Sequence, residues 1–330
     1  MEHVGLWLKF AAASAIVIGA GLSLTKNAER LAVAMGWGHA FAGFVVLGWA
    51  TSLPEVTISV SAITDLQSPA LSAGNITGSV IFNLAILSLL ELLADREAGR
   101  APGGARGLLP LGLFNLVMIG GLLALLLSAT LADALAPSTA GLFLVAGYLA
   151  ATLHAYTSQR GEIAPDDPGR GDPRAAGLRC LLAGGVILGA GIWLSHLGDQ
   201  VADAYQLEEG LIGTVFLGAV SSLPELVTGL AAVRAGLLAL AAGSILGSNV
   251  FNLGILGVCE LLHVHGGPDR GPMIVAANDP RMAANLAAGF ALTLLALWLV
   301  RARPAGMSRG GLRTIAGVMF TIYLLTLAFA

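Results

Sequence analysis

The chain has 330 residues, 56% hydrophobic and only 11% charged, with a mean hydropathy of +0.82. Soluble domains carry about 25% charged residues, so this composition excludes an ordinary soluble protein and points to a polytopic membrane protein. The formal net charge of −3 says little, because in a membrane protein the placement of charge matters more than its total.

Apolar runs bounded by charges and turn residues predict ten spans, at approximately 5–25, 37–62, 71–93, 108–128, 137–158, 176–196, 207–233, 238–262, 283–300 and 311–329. The first run, Leu6 to Leu24, lacks a strong basic leader and a small-residue cleavage site, so it reads as a retained helix. The second is flawed at its middle by Gly48-Trp49-Ala50-Thr51-Ser52-Leu53-Pro54-Glu55. Pro54 leaves the carbonyl of Ala50 without its helical partner, and a carboxylate in hydrocarbon costs a few kcal/mol or more. Between the fifth and sixth spans, Ser158 to Ala175 is a polar connector containing Pro165-Asp166-Asp167-Pro168. The seventh span repeats the flaw as Gly218-Ala219-Val220-Ser221-Ser222-Leu223-Pro224-Glu225. Cys180 and Cys259 lie in apolar surroundings without metal-ligand spacing and read as packing residues. No stretch resembles a soluble domain, a nucleotide loop or a nucleic-acid face.

With ten spans, fourteen Lys and Arg residues fall on one side of the membrane and three, Lys9, Arg270 and Arg281, on the other. The positive-inside rule then places both termini outside the cytoplasm and the 159–175 connector within it. Residues 47–67 match 217–237 at an offset of 170, and 74–93 match 243–262 at an offset of 169, with 12 of 20 identities in the second block. Five spans separate equivalent helices, an odd number, so the second copy runs upside down relative to the first. The expected fold is therefore an all-α polytopic membrane protein of ten transmembrane helices in two inverted five-helix repeats. The first half is 1–158, with its repeat motif at about 44–93, and the second is 176–330, with its motif at about 214–262. Such an architecture supports alternating access around a site at the repeat interface.

The two motifs supply the chemistry. Thr51, Ser52 and Glu55 lie at helical spacing, as do Ser79 and Asn83 on the next helix. The second repeat contributes Ser221, Ser222 and Glu225, then Ser248 and Asn252. Every donor atom is oxygen, which suits hard cations such as Ca2+ and Na+ rather than Zn2+ or Cu+. Two carboxylates match one divalent charge. Gly48, Gly74, Gly78, Gly218, Gly243 and Gly247 leave room for tight helix crossings. Serine and threonine in membrane helices often bond only to their own helix, but two carboxylates, each beside a proline break and each repeated with its neighbours, mark a functional site.

These residues carry a resemblance. Gly48…Thr51-Ser52-Leu53-Pro54-Glu55 with Gly74-Asn75-Ile76-Thr77-Gly78-Ser79…Asn83, and Gly218…Ser221-Ser222-Leu223-Pro224-Glu225 with Gly243…Gly247-Ser248-Asn249…Asn252, are similar to the two α-repeats of the cation/calcium exchanger superfamily. The closer resemblance is to its prokaryotic sodium/calcium exchangers. It implies an antiporter of the plasma (inner) membrane that exchanges Ca2+ for Na+ by alternating access, with no cofactor beyond the transported ions and no obligate protein partner. It also assigns ion ligation to Thr51, Ser52, Glu55, Ser79, Asn83, Ser221, Ser222, Glu225, Ser248 and Asn252. Val80 departs from the Asn that often follows Gly-Ser in the family, and Asn252 stands where some members have Asp. Only two acids then remain, so a smaller sodium-to-calcium ratio, or partial coupling to protons, is expected. A Ca2+/H+ antiporter using the same glutamates is the main alternative. An intramembrane hydrolase would need a nucleophile beside a base, and a channel fits inverted repeats with broken helices less well than a rocking carrier.

The remaining polar residues read as ordinary. Glu91 and Glu260 repeat, but they lie about 12 Å beyond Asn83 and Asn252 along their helices, near helix ends where a solvated or interfacial role is expected and a secondary ion or proton step is the lesser alternative. His39, His154 and His196 read as interfacial, and His263 and His265 as an outer-surface pair. Asp199, Asp203, Glu208 and Glu209 read as an acidic outer loop.

Overall fold

A computed structural model describes residues 2–64, 67–94, 104–128, 136–158, 172–204, 221–266, 271–273, 280–302 and 307–328. Among them there are helices and turns but no strand. Helix α1 spans Glu2–Met35, α2 His39–Thr51 and α3 Leu53–Thr64. They are followed by α4 (Pro69–Leu93), α5 (Gly104–Leu127) and α6 (Thr139–Ser158). The second half holds α7 (Pro173–Ala204), α8 (Leu223–Arg234), α9 (Leu238–His265), α10 (Pro280–Ala302) and α11 (Arg309–Ala328).

Eight described helices are long and apolar enough to cross a membrane, and α2 with α3 forms a ninth span bent by 49°. Of the seventh expected span, 207–233, only residues 221–233 belong to the described residues, so the count of ten rests on a stretch outside them. The outer faces carry exposed Leu8, Leu127, Leu153, Leu181, Leu182 and Trp298. Such a shell is stable against lipid but not against water, which makes this an integral membrane protein.

Helix ends follow local chemistry. α1 continues ten residues past the expected end at 25, because nothing breaks it before Gly36. There the chain turns left-handed, with φ of 67°, and the N–H groups of Gly36 and Trp37 cap Val33 and Ala32 at 3.3 and 2.9 Å. Gly236 ends α8 the same way, at φ of 76°, with Leu237 N–H bonded to Ala232 O at 2.8 Å. Ser68 caps α4 by accepting from Leu71 N–H at 3.3 Å, and Pro69 takes the first helical position, where its missing N–H costs nothing.

The packing repeats between halves. α10 packs on α4 as α5 packs on α9, α11 on α4 as α6 on α9, and α1 on α8 as α3 on α7. Aromatic side chains follow suit: Phe82 of α4 meets Tyr323 of α11 at 5.7 Å, and Phe251 of α9 meets Tyr148 of α6 at the same distance. α4 and α9 are the most buried spans and pack on each other at the centre. α2 crosses α9 at backbone contact. A Cβ on Gly247 would lie 2.7 Å from Phe44 Cα, and one on Gly48 3.1 Å from the Ser248 nitrogen, so only glycine permits this approach.

Candidate functional site

Both proline breaks adopt one backbone geometry. Ser52 lies at φ −89°, ψ 6° and Ser222 at φ −89°, ψ 10°, each immediately before a helix that opens Leu-Pro-Glu. Proline at the second helical position forfeits only an N–H that would have no partner there. Glu55 and Glu225 then sit in the first turns of α3 and α8, where the positive end of the helix dipole favours a carboxylate.

The helical spacing of Thr51, Ser52 and Glu55 places hydroxyls and carboxylate on one face of a single helix. The breaks alter that expectation. Ser52 Oγ donates to Glu225 Oε1 at 3.0 Å, and Ser222 Oγ donates to Glu55 Oε1 at 3.2 Å. Each repeat therefore binds the other's carboxylate. Ser221 also lies beside Glu55, and Thr51 and Ser248 lie beside Glu225. Thr51 Oγ1 donates to Leu47 O at 2.9 Å, Ser248 Oγ donates to Gly48 O at 3.3 Å, and the two hydroxyls are 3.5 Å apart. With their protons committed, these hydroxyls present oxygen lone pairs to anything at the centre.

All ten residues expected at the site are buried. Ser79 and Asn83 lie one turn apart on α4, and Ser248 and Asn252 one turn apart on α9. Several buried atoms have no hydrogen-bond partner: Glu55 Oε2, Glu225 Oε2, Ser79 Oγ, Asn83 Oδ1, and both amide atoms of Asn252. A buried orphan polar group costs about 1–3 kcal/mol, and a charged one more. So many on facing helices mark a place built to receive something. Among the described residues, no three His, Cys, Asp or Glu side chains converge, and what the breaks bring together is two carboxylates with hydroxyl oxygens, beside which buried amide oxygens stand unpartnered. That set fits a hard cation.

Four polar residues outside the expected set support it. Asn75 of α4 donates to Glu55 O at 3.4 Å and to Ser59 Oγ at 2.9 Å. In the second repeat, Thr228 Oγ1 donates to Pro224 O at 2.9 Å and to Glu225 O at 3.2 Å. Asn115 of α5 donates to Leu246 O of α9 at 3.0 Å. Asn249 links the repeats, donating to Val80 O at 3.2 Å and accepting from Asn83 Nδ2 at 3.0 Å. Asn75 and Asn249 stand within the repeat motifs, and for Asn115 the sequence signal is an Asn within an apolar run.

Other expectations need correction. Glu260 is fully buried and Glu91 nearly so, rather than solvated. The chain folds back over the end of α9, and Met273 N–H donates to Glu260 Oε1 at 2.7 Å. His263 is likewise buried, while His265 is exposed and contacts Leu261 O at 2.7 Å. Asp199 and Asp203 belong to helix α7 rather than a loop, and Glu208 and Glu209 lie outside the described residues. Cys180 and Cys259 are free and buried, in keeping with a packing role. The crossing glycines Gly48, Gly243 and Gly247 abut backbone or ring atoms of the opposite helix, whereas Gly218 lies outside the described residues.

Comparison with known proteins agrees with this fold. The family described as sodium/calcium exchanger protein matches residues 5–157 and 177–330. A candidate antiporter, CaxA of Alkalimonas amylolytica, is 28% identical over 333 residues, covering 98% of this chain and 96% of its own. The fold is similar to that of the sodium-calcium exchanger NCX_Mj. After soaking in 2.5 mM Na+ and 0.1 mM Sr2+, that structure superposes with a TM-score of 0.76 at 19% identity, covering 99% of both chains. Without Na+ and Ca2+ the TM-score is 0.71, covering 98% of both. The chain belongs to the sodium/calcium exchanger protein family, as a membrane-embedded cation exchanger.

Proposed function

We propose that the protein is a secondary antiporter exchanging Ca2+ for Na+ by alternating access, with Thr51, Ser52, Glu55, Ser79, Asn83, Ser221, Ser222, Glu225, Ser248 and Asn252 as the ligand set. The observation that carries this reading is the crossed pairing of Ser52 with Glu225 and Ser222 with Glu55. It commits one oxygen of each carboxylate to the opposite repeat and leaves Oε2 of both, with the Ser79, Asn83 and Asn252 oxygens, buried and unpartnered. Two negative charges and several neutral oxygens suit Ca2+, whose coordination takes six to eight oxygens. Sodium at the same oxygens would compete with calcium, so the site accommodates one load or the other. Because each ligand cluster is shared between repeats, relative motion of the two halves opens and closes the site on alternate sides. The positive-inside pattern favours a plasma (inner) membrane placement with both termini outside the cytoplasm.

One observation favours a second reading. Asparagine at both 83 and 252 leaves only two acids to balance the cargo, and two carboxylates can exchange one Ca2+ for two protons without other charged groups. Uptake of radioactive calcium into proteoliposomes under imposed Na+ or H+ gradients separates the two. Na+/Ca2+ exchange predicts uptake driven by an outward Na+ gradient at equal pH. Uptake driven only by the pH gradient would replace that reading with the proton one.

A further inference from the structure

Two amides face the candidate site from equivalent positions, Asn83 on α4 and Asn252 on α9, and their surroundings differ. An amide has two faces: its oxygen ligates a cation, while its NH2 group repels one. Which face is presented depends on what holds the other. For Asn83 the answer follows from a backbone carbonyl. Val80 O can only accept, so the Asn249 atom 3.2 Å from it is Nδ2. The other atom of that amide, Oδ1, then faces Asn83 and must accept from it, and the Asn83 atom 3.0 Å away is Nδ2. The Asn83 carbonyl oxygen is left pointing elsewhere, buried and without a partner.

The mirror arrangement is missing. The residue equivalent to Asn249 in the first repeat is Val80, which has no amide to offer Asn252. Both Asn252 Oδ1 and Nδ2 are buried without a hydrogen bond. From this asymmetry we infer that Asn249 is a positioning residue that turns the Asn83 oxygen toward the cation, and that Val80 leaves Asn252 to orient only when the cation arrives. This inference rests on the cation-site reading above. A pre-oriented ligand spares the cost of ordering at the moment of binding, so the first-repeat amide contributes more to resting affinity than its counterpart.

Calcium-dependent transport in proteoliposomes tests this with Asn249→Val, Val80→Asn, Asn83→Ala and the pair Asn249→Val with Asn83→Ala. Valine already occupies the mirror position, so the exchange suits that local backbone. Asn249→Val should raise the half-saturating calcium concentration about tenfold, the equivalent of one hydrogen bond, with the change falling on that concentration rather than on the maximal rate. In the Asn83→Ala background the same substitution should add little, because no amide remains to be oriented. Val80→Asn should lower half-saturation severalfold by giving the Asn252 NH2 an acceptor and freeing its oxygen for the cation. An unchanged half-saturating concentration in Asn249→Val, or an equal rise with and without Asn83, would overturn the inference. If Asn249→Val does not fold, Val80→Asn decides: a lower half-saturation supports the inference and an unchanged one overturns it. Glu55→Gln runs alongside: full transport there would remove the cation-site reading itself. An inactive Glu55→Gln beside a wild-type-like Asn249→Val removes only the role given to Asn249.

Discussion

The two repeats agree at their breaks and differ one helix further on. At the breaks, Ser52 and Ser222 share a backbone conformation within a few degrees and each bonds the opposite glutamate. On α4 and α9 the symmetry lapses: Val80 stands where the second repeat has Asn249, Ser244 stands where the first has Asn75, and the Glu55 carbonyl is held by another helix whereas the Glu225 carbonyl is held by its own. The difference teaches where a duplicated motif tolerates drift. Under the proposed exchange, charged ligands must match one cargo from both sides, so they stay paired. The groups that orient backbone and amides around them are interchangeable in kind, and each half has settled on its own solution.

The largest expected effect on stability tests the close crossing that brings the halves together. Gly247→Ala would press a methyl group against the Phe44 backbone, whereas Gly48→Ala meets the Ser248 nitrogen at a looser 3.1 Å. Overpacking of that kind costs about 1–3 kcal/mol. Thermal unfolding in detergent should therefore show a larger drop for Gly247→Ala than for Gly48→Ala, and equal drops would mean that the crossing is not the tight point.

Next come the crossed hydroxyls. Ser52→Ala and Ser222→Ala each remove a bond to a buried carboxylate, about 1.5–3 kcal/mol. Both should weaken calcium-dependent transport by about tenfold or more, and by similar amounts. A loss confined to one of them would break the symmetry claimed for the breaks.

A smaller effect probes the carbonyl supports. Asn75→Leu detaches α4 from the Glu55 carbonyl, while Thr228→Val removes a bond made within α8. Turnover should fall severalfold for Asn75→Leu and less for Thr228→Val. The reverse order would show that the support from another helix is incidental.

The smallest concerns Asn252→Asp, which adds a third acid. It should steepen the sodium dependence of calcium flux while leaving calcium affinity close to wild type, since Glu55 and Glu225 already balance a divalent ion. An unchanged sodium dependence would show that the amide does not limit sodium binding.

Much of this was legible in the sequence, for physical reasons. A proline and a glutamate inside an apolar run are costly, so their exact recurrence in Ser-Leu-Pro-Glu signalled a built feature, and helical spacing correctly gathered Ser79 with Asn83 and Ser248 with Asn252. Spacing describes one helix at a time, however. It set Ser52 on the face of Glu55 but could not show that its hydroxyl bonds Glu225 of the other repeat. Distance along a helix put Glu260 near an end, but could not show that Met273 would fold back and bury it. Asn249 looked like a family marker, and its hold on Asn83 emerged only from the meeting of α4 and α9.

The most direct test is calcium binding to purified protein, titrated calorimetrically for wild type, Glu55→Gln and Glu225→Gln at one pH and one low sodium concentration. A site built symmetrically from both carboxylates predicts one calcium per wild-type chain, displaced by added sodium, with binding lost by about 100-fold or more in both folded variants. Calcium bound with wild-type affinity by either variant would contradict it.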